Sequence, residues 1–215
     1  YPFGSSIRAQ PKKFIPGLRP HDTPSRPPSS AAPRRNFALA VVEGRKAGAQ
    51  AMSGLIRGEL RAWRSLRRFQ RLQAKARRIV FFCDSPGMAS HLDPIMRCLV
   101  DDFGHHLAYV TTAPSDTRLT RPSDGIESFC VGGGIILPGF FKTFRAPMLV
   151  STTPGLGKGP IQRSAYPVHY AYVHHAMVST HMIYQGDAFD RFDSIFCTGP
   201  HHERETRARE AQAGL

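Results

Sequence analysis

The sequence predicts an α/β domain with a mostly parallel sheet covered on both faces, placed after a long basic helix and an N-terminal tail. Three observations carry this reading. Six short apolar runs follow residue 78 and alternate with turns and helical stretches, the texture of strands buried on both sides. The chain has 215 residues, of which 41% are hydrophobic, enough for a sizeable core. The formal charge of +13 is concentrated at one end: residues 1 to 78 hold 18 of the 29 Lys and Arg but only three of the 16 Asp and Glu. The remainder is close to neutral, so the folded part is not itself a basic, nucleic-acid-type domain.

Residues 1 to 35 contain eight of the 18 prolines together with serines and basic residues. Such a composition buries too little apolar area to offset ordering entropy, and a disordered tail is expected. From Asn36 to Arg78 proline is absent and Leu, Ala, Arg and Gln dominate, which predicts a long helix with weak points at Gly54 and Gly58. Ile56, Leu60, Trp63 and Leu66 or Arg67 recur every three to four residues, and Arg57, Arg61, Arg64, Arg68, Arg71 and Lys75 supply a basic side. This amphipathic stretch could lie on an anionic membrane surface, with Trp63 and the leucines inserted, or pack its apolar stripe onto the following domain. Nucleic acid is the least favoured partner.

The first strand is read in "RIVFFC", which ends at Cys83, followed by the loop "DSPGMASH" and a helix "LDPIMRCLVDDFG" that stops at Gly104. "HLAYVTT", "IESFCV", "APMLVST", "VHYAYVHH" and "DSIFC" supply strands two to six. In such a sheet ligands bind beyond the carboxyl ends of the strands, which singles out the loops after Cys83, Thr112, Thr152 and His175. Cys83, Cys98, Cys130 and Cys197 are widely separated with no CxxC, as expected of reduced thiols in the cytoplasm. No apolar run reaches the roughly 18 residues that span a bilayer, and no signal-peptide core is present near Tyr1.

The glycines are weak pointers. "GGG" at 132 to 134 lacks the spacing of a dinucleotide cradle and reads as a turn. "TTPGLGKGP" (152 to 160) fails the P-loop pattern because Lys158 precedes glycine, although its amides and Lys158 could hold an anion. The histidines say more. Nine of the ten follow residue 79, with adjacent pairs at 105/106, 174/175 and 201/202. Neighbours on a strand point to opposite faces, and HExxH and Cys/His spacings are missing, so no metal site is expected. On a strand over 168 to 175, Tyr170, Tyr172 and His174 share one face while His169, Ala171, Val173 and His175 share the other. A histidine at a strand's carboxyl end can act as a proton acceptor, and Ser179 and Thr180 can cap a helix whose N-terminus suits phosphate. A satisfied histidine beside an ordinary cap explains the same residues.

The segment "STTPGLGKGPIQRSAYPVHYAYVHHAMVSTHMIYQGDAFDRFDSIFCTGPHHERE" (151 to 205) resembles the CDP-glycerol glycerophosphotransferase family, enzymes that build teichoic-acid-like polymers. The shared pattern is a TTP loop, an Arg-Ser motif, H-Y-x-Y-x-x-H, S-T-H-M-x-Y, A-F-D-x-[YF]-D and G-P-H-H-x-x-E. "VFFCDSPGMASHLDPIMRCLV" (80 to 100) is similar to the family's first strand, loop and helix. The resemblance implies the N-terminal, Rossmann-like half of a two-domain GT-B fold. It also implies a CDP-glycerol-type donor held mainly by a second half beyond Leu215, a lipid-linked or polymer acceptor, and no cofactor. Residue by residue it assigns His175 as the base acting on the acceptor hydroxyl, and places Ser179, Thr180, His181, Thr152, Thr153 and Arg163 at the substrates. His174 stands where the family often has an aromatic, and Gly155 replaces a common loop aspartate. A site at the inner face of the cell membrane is the expected location. An inactive scaffold module at that surface is the alternative.

Overall fold

In a computed structural model of the chain, residues 34 to 121 and 123 to 215 are described, with side chains from Met52 onward. The expected disordered tail therefore lies outside the described residues up to residue 33. Helix α1 runs over Arg34–Gln70 and passes Gly54 and Gly58 unbroken. It ends eight residues before the expected Arg78. Its last turn tightens through i−3 bonds from Arg71 N–H to Phe69's predecessor Arg68 and from Leu72 N–H to Phe69, and a 3₁₀ turn at Ala74–Arg77 leads into the sheet. The physical reason is Phe69, which is buried against Phe129, Phe140 and Phe144 and so pins the helix end to the domain.

All six expected strands are present: β1 Ile79–Cys83, β2 Leu107–Thr111, β3 Ile126–Cys130, β4 Met148–Ser151, β5 His169–Val173 and β6 Ser194–Phe196. They form one parallel sheet in the order β3-β2-β1-β4-β5-β6. The crossovers carry α2 Pro86–Ala89 and α3 Asp93–Arg97 after β1, and α4 Ile136–Thr143 after β3. The short α5 Thr180–Ile183 follows β5, and α6 Pro200–Ala213 closes the order. A π turn at Cys98–Asp102 extends α3 until Gly104, whose φ of 64° lets the chain turn back into β2.

Strand alternation divides the core into two layers. Val80, Phe82, Ala108, Val110, Leu149 and Tyr170 meet α1 and α4 on one side of the sheet. Phe81, Cys83, Tyr109, Val150, Ala171 and Val173 meet α2 and α3 on the other. The carboxyl half of α1 thus belongs to this core through Phe69 and the partly buried Leu66. Of the helix stripe that could either insert into a membrane or pack onto the domain, Ile56, Leu60 and Trp63 are exposed, and the side chains of α1 buried among the described residues are Ala62 and Phe69.

Candidate active site at the switch point

Order 3-2-1-4-5-6 reverses direction between β1 and β4, and in open parallel sheets that reversal opens a crevice at the carboxyl ends of the strands. Cys83, Thr152 and Thr153 lie there. The Cys83 Sγ donates to Ser85 O at 2.9 Å and lies 3.8 Å from Thr152 Oγ1, and burial pushes its thiol pKa up, so it remains protonated at neutral pH. Ser151 Oγ accepts from Thr153 N–H at 2.9 Å, and Thr111 Oγ1 accepts from Ala113 N–H at 3.1 Å. These side-chain turns shape the loops leaving β4 and β2. Thr153 Oγ1 is enclosed and makes no hydrogen bond among the described residues.

His174 and His175 follow β5 and keep its alternation. His174 is 4% exposed and packs against Tyr172, Phe189 and His202, the last at 4.1 Å in a near-parallel stack. Its Nε2 has no partner among the described residues, and burial, then the neighbouring His202 and His175, lower its pKa to about 4. His175 leaves on the side of α2 and α3 and meets His91, with ring centres 5.8 Å apart. Its Nδ1 is enclosed without a hydrogen-bond partner among the described residues. Burial and His91 lower its pKa, while Asp84 works the other way, so the ring is neutral at pH 7. His91 and Asp84 are thus members of the site that residue-type reasoning passed over. The available signal was their position in the loop after Cys83.

Ser179, Thr180 and His181 are brought together by a carboxylate of the chain itself. Glu205 on α6 accepts from Ser179 Oγ, from Thr180 N–H at 2.7 Å and from Thr180 Oγ1 at 2.6 Å, with His181 Nδ1 3.6 Å away. The Ser179 and Thr180 donors hold its pKa down to about 2. A second tie comes from buried His202, whose Nε2–H donates to Val178 O at 2.8 Å while Nδ1 accepts from Thr198 Oγ1 at 2.8 Å. Segment 174 to 184 is therefore clipped to the first two turns of α6. Replacing Glu205 with Ala should speed hydrogen exchange at the Thr180 amide by about tenfold or more and leave β1 and β4 unchanged. Unaltered exchange at Thr180 would remove the clip.

Arg163 is not brought to this end of the sheet. It pairs with both oxygens of Asp193 at 3.0 and 3.1 Å and stacks over Tyr170, at the amino ends of β5 and β6. Lys158 is likewise engaged, by Gln185 at 2.9 Å and by Asp187. Gly155, where the resembled family often has aspartate, has φ of 77°, a conformation that glycine adopts most readily. A cavity of about 550 Å³ lies on the β6 side of the clip, walled by Tyr184, Phe189, Phe192, Ile195 and Arg209. Thr180 and His181 line it, whereas His175 does not. Among the described residues no group of three or more His, Cys, Asp or Glu is placed to hold a metal ion, and no helix is long and apolar enough to cross a membrane.

Fold and geometry together define a doubly wound, all-parallel α/β domain in which His175, one strand from the switch point, meets His91. Compared with protein-family models, the chain matches none. No curated protein matches it either.

Proposed function

We propose that this chain forms the acceptor-side, Rossmann-like half of a GT-B-type glycerophosphotransferase, with His175 as the base. The observation that carries the reading is the position of His175: a neutral imidazole just past the carboxyl end of β5, one strand from the switch point. In the proposed step an acceptor hydroxyl oxygen bonds to the phosphorus of the transferred glycerol phosphate and the bond to CMP breaks. The hydroxyl proton passes to His175. His91 faces the base; burial first and then His91 lower its pKa, and Asp84 opposes them. A positioned base contributes about 10²–10⁴-fold in rate. In the natural protein containing this segment, CMP release from CDP-glycerol in the presence of a membrane acceptor should fall by at least about 100-fold in His175→Ala. Release at the wild-type rate would end the assignment.

One observation favours the second reading, a scaffold module. The donors that the resemblance gives to substrates are held by internal acids: Ser179 and Thr180 by Glu205, Arg163 by Asp193. No CMP release by the wild-type natural protein, with any acceptor, would decide for it. Under either reading we place the chain at the cytoplasmic face of an anionic membrane. Support comes from the exposed Met52, Ile56, Leu60 and Trp63 on α1, alongside Arg57, Arg61 and Arg64. Co-sedimentation with phosphatidylglycerol vesicles should weaken by about tenfold or more in Trp63→Glu; undiminished binding would contradict insertion.

A further inference from the structure

The amino ends of the strands carry a second charged feature, far in sequence from the histidines. Arg78 immediately precedes β1, Pro147 precedes β4 and Pro167 lies just before β5. Between them opens a hollow of about 820 Å³ whose lining includes Lys75, Arg77, Arg78, Arg145 and Tyr166 and contains no acidic residue. A neighbouring hollow shares Lys75 and adds Arg71 and His106 against a single carboxylate, Glu127.

Five cations of the described residues, Arg118, Lys158, Arg163, Arg207 and Arg209, sit in ion pairs. Here none of Lys75, Arg77, Arg78 or Arg145 makes one among the described residues. Two of the four are nevertheless fixed in place. The Arg145 guanidinium lies 3.8 Å from the centre of the Tyr166 ring, and Arg77 donates from Nη1 to Gln70 O at 3.3 Å. Arg77 Nε is shut away from solvent with no acceptor among the described residues. Like charges set around one open hollow repel one another, and holding two of them rigid adds to that cost. An anion in the hollow relieves both, and guanidinium groups suit phosphate oxygens in particular.

We infer that this hollow is a binding site for a phosphate-bearing anion of two or more charges, with Arg77, Arg78 and Arg145 on its oxygens and Tyr166 flanking the attached group. The inference stands apart from the proposed chemistry at His175, which lies at the other end of the strands. Both a soluble oligophosphate and a phospholipid headgroup present this chemistry, and two probes separate them.

Isothermal titration of the full chain with inorganic tripolyphosphate is the first probe. Co-sedimentation with phosphatidylglycerol vesicles, in a Trp63→Glu background that removes anchoring by α1, is the second. Binding in the first, weakened about tenfold or more by Arg78→Gln with Arg145→Gln, supports the site with a soluble ligand. Binding confined to vesicles with the same loss supports it with a lipid headgroup. The control is Arg121→Gln with Arg204→Gln, which removes the same charge from exposed positions away from the hollow and from α1 and should change affinity less than about twofold. Circular dichroism confirms that each variant is folded. Equal weakening by both pairs would reduce the effect to overall charge and overturn the site, as would failure of both probes to bind.

Discussion

Phe69→Ala is expected to destabilise the chain by about 3–5 kcal/mol in urea unfolding, the range for deleting a fully buried aromatic side chain. Phe69 is 3% exposed and sits edge-on to Phe129 and Phe140, with ring centres at 5.5 and 5.4 Å, and parallel to Phe144 at 5.9 Å. Each such pair adds about 0.5–1.5 kcal/mol beyond area burial. The contrast is Trp63, six residues earlier on α1, 47% exposed, with the Arg67 guanidinium 5.1 Å from its ring centre. Trp63→Ala should change stability by no more than about 0.5 kcal/mol. A Phe69→Ala loss below about 1 kcal/mol would mean that α1 is an appendage rather than part of the core.

Acid should destabilise the domain through His174, and His174→Phe should remove much of that sensitivity. Its imidazole has a pKa of about 4 in the fold and 6.5 as the ordinary value, because burial first, then His202 and His175, disfavour the cation, with Glu205 opposing and His201 adding to the effect. Between those two values the unfolded chain binds a proton that the folded chain refuses. The contribution is therefore fully present above pH 6.5 and is lost as pH falls toward 4, to a total of about 3 kcal/mol. Phenylalanine would enter a nest of rings formed by Tyr172, Phe189 and His202, and it leaves behind no side-chain hydrogen bond, since Nε2 has none. Urea melts at pH 7.5, 6 and 5 would measure it. The wild type should lose stability stepwise, and the variant clearly less. An identical acid slope in the two proteins would show that His174 is not the group responsible.

The sheet was legible in the sequence because a strand buried on both faces is a short continuous apolar run, and six such runs lie in order after residue 78. The separation of His174 from His175 was legible for the same local reason, since alternation needs no knowledge of the rest of the chain. Which stripe of α1 is buried was not. Ile56, Leu60 and Trp63 form as good a helical row as Ala62, Leu66 and Phe69, and only the place of α4 and β3 decides between them. The ion pairs were hidden for a related reason. Arg163 finds Asp193 30 residues away, and Glu205 finds Ser179 26 residues away, separations at which spacing carries no information.

His202 and Glu205 stand three residues apart, on one side of α6, and both grip the segment that follows His175. From Glu205 to the last residue of α6, Ala213, the helix extends by about 12 Å. Towards that far end Arg209 pairs with Asp190, so α6 ties the stretch before β6 as well as the histidine loop to one rigid element.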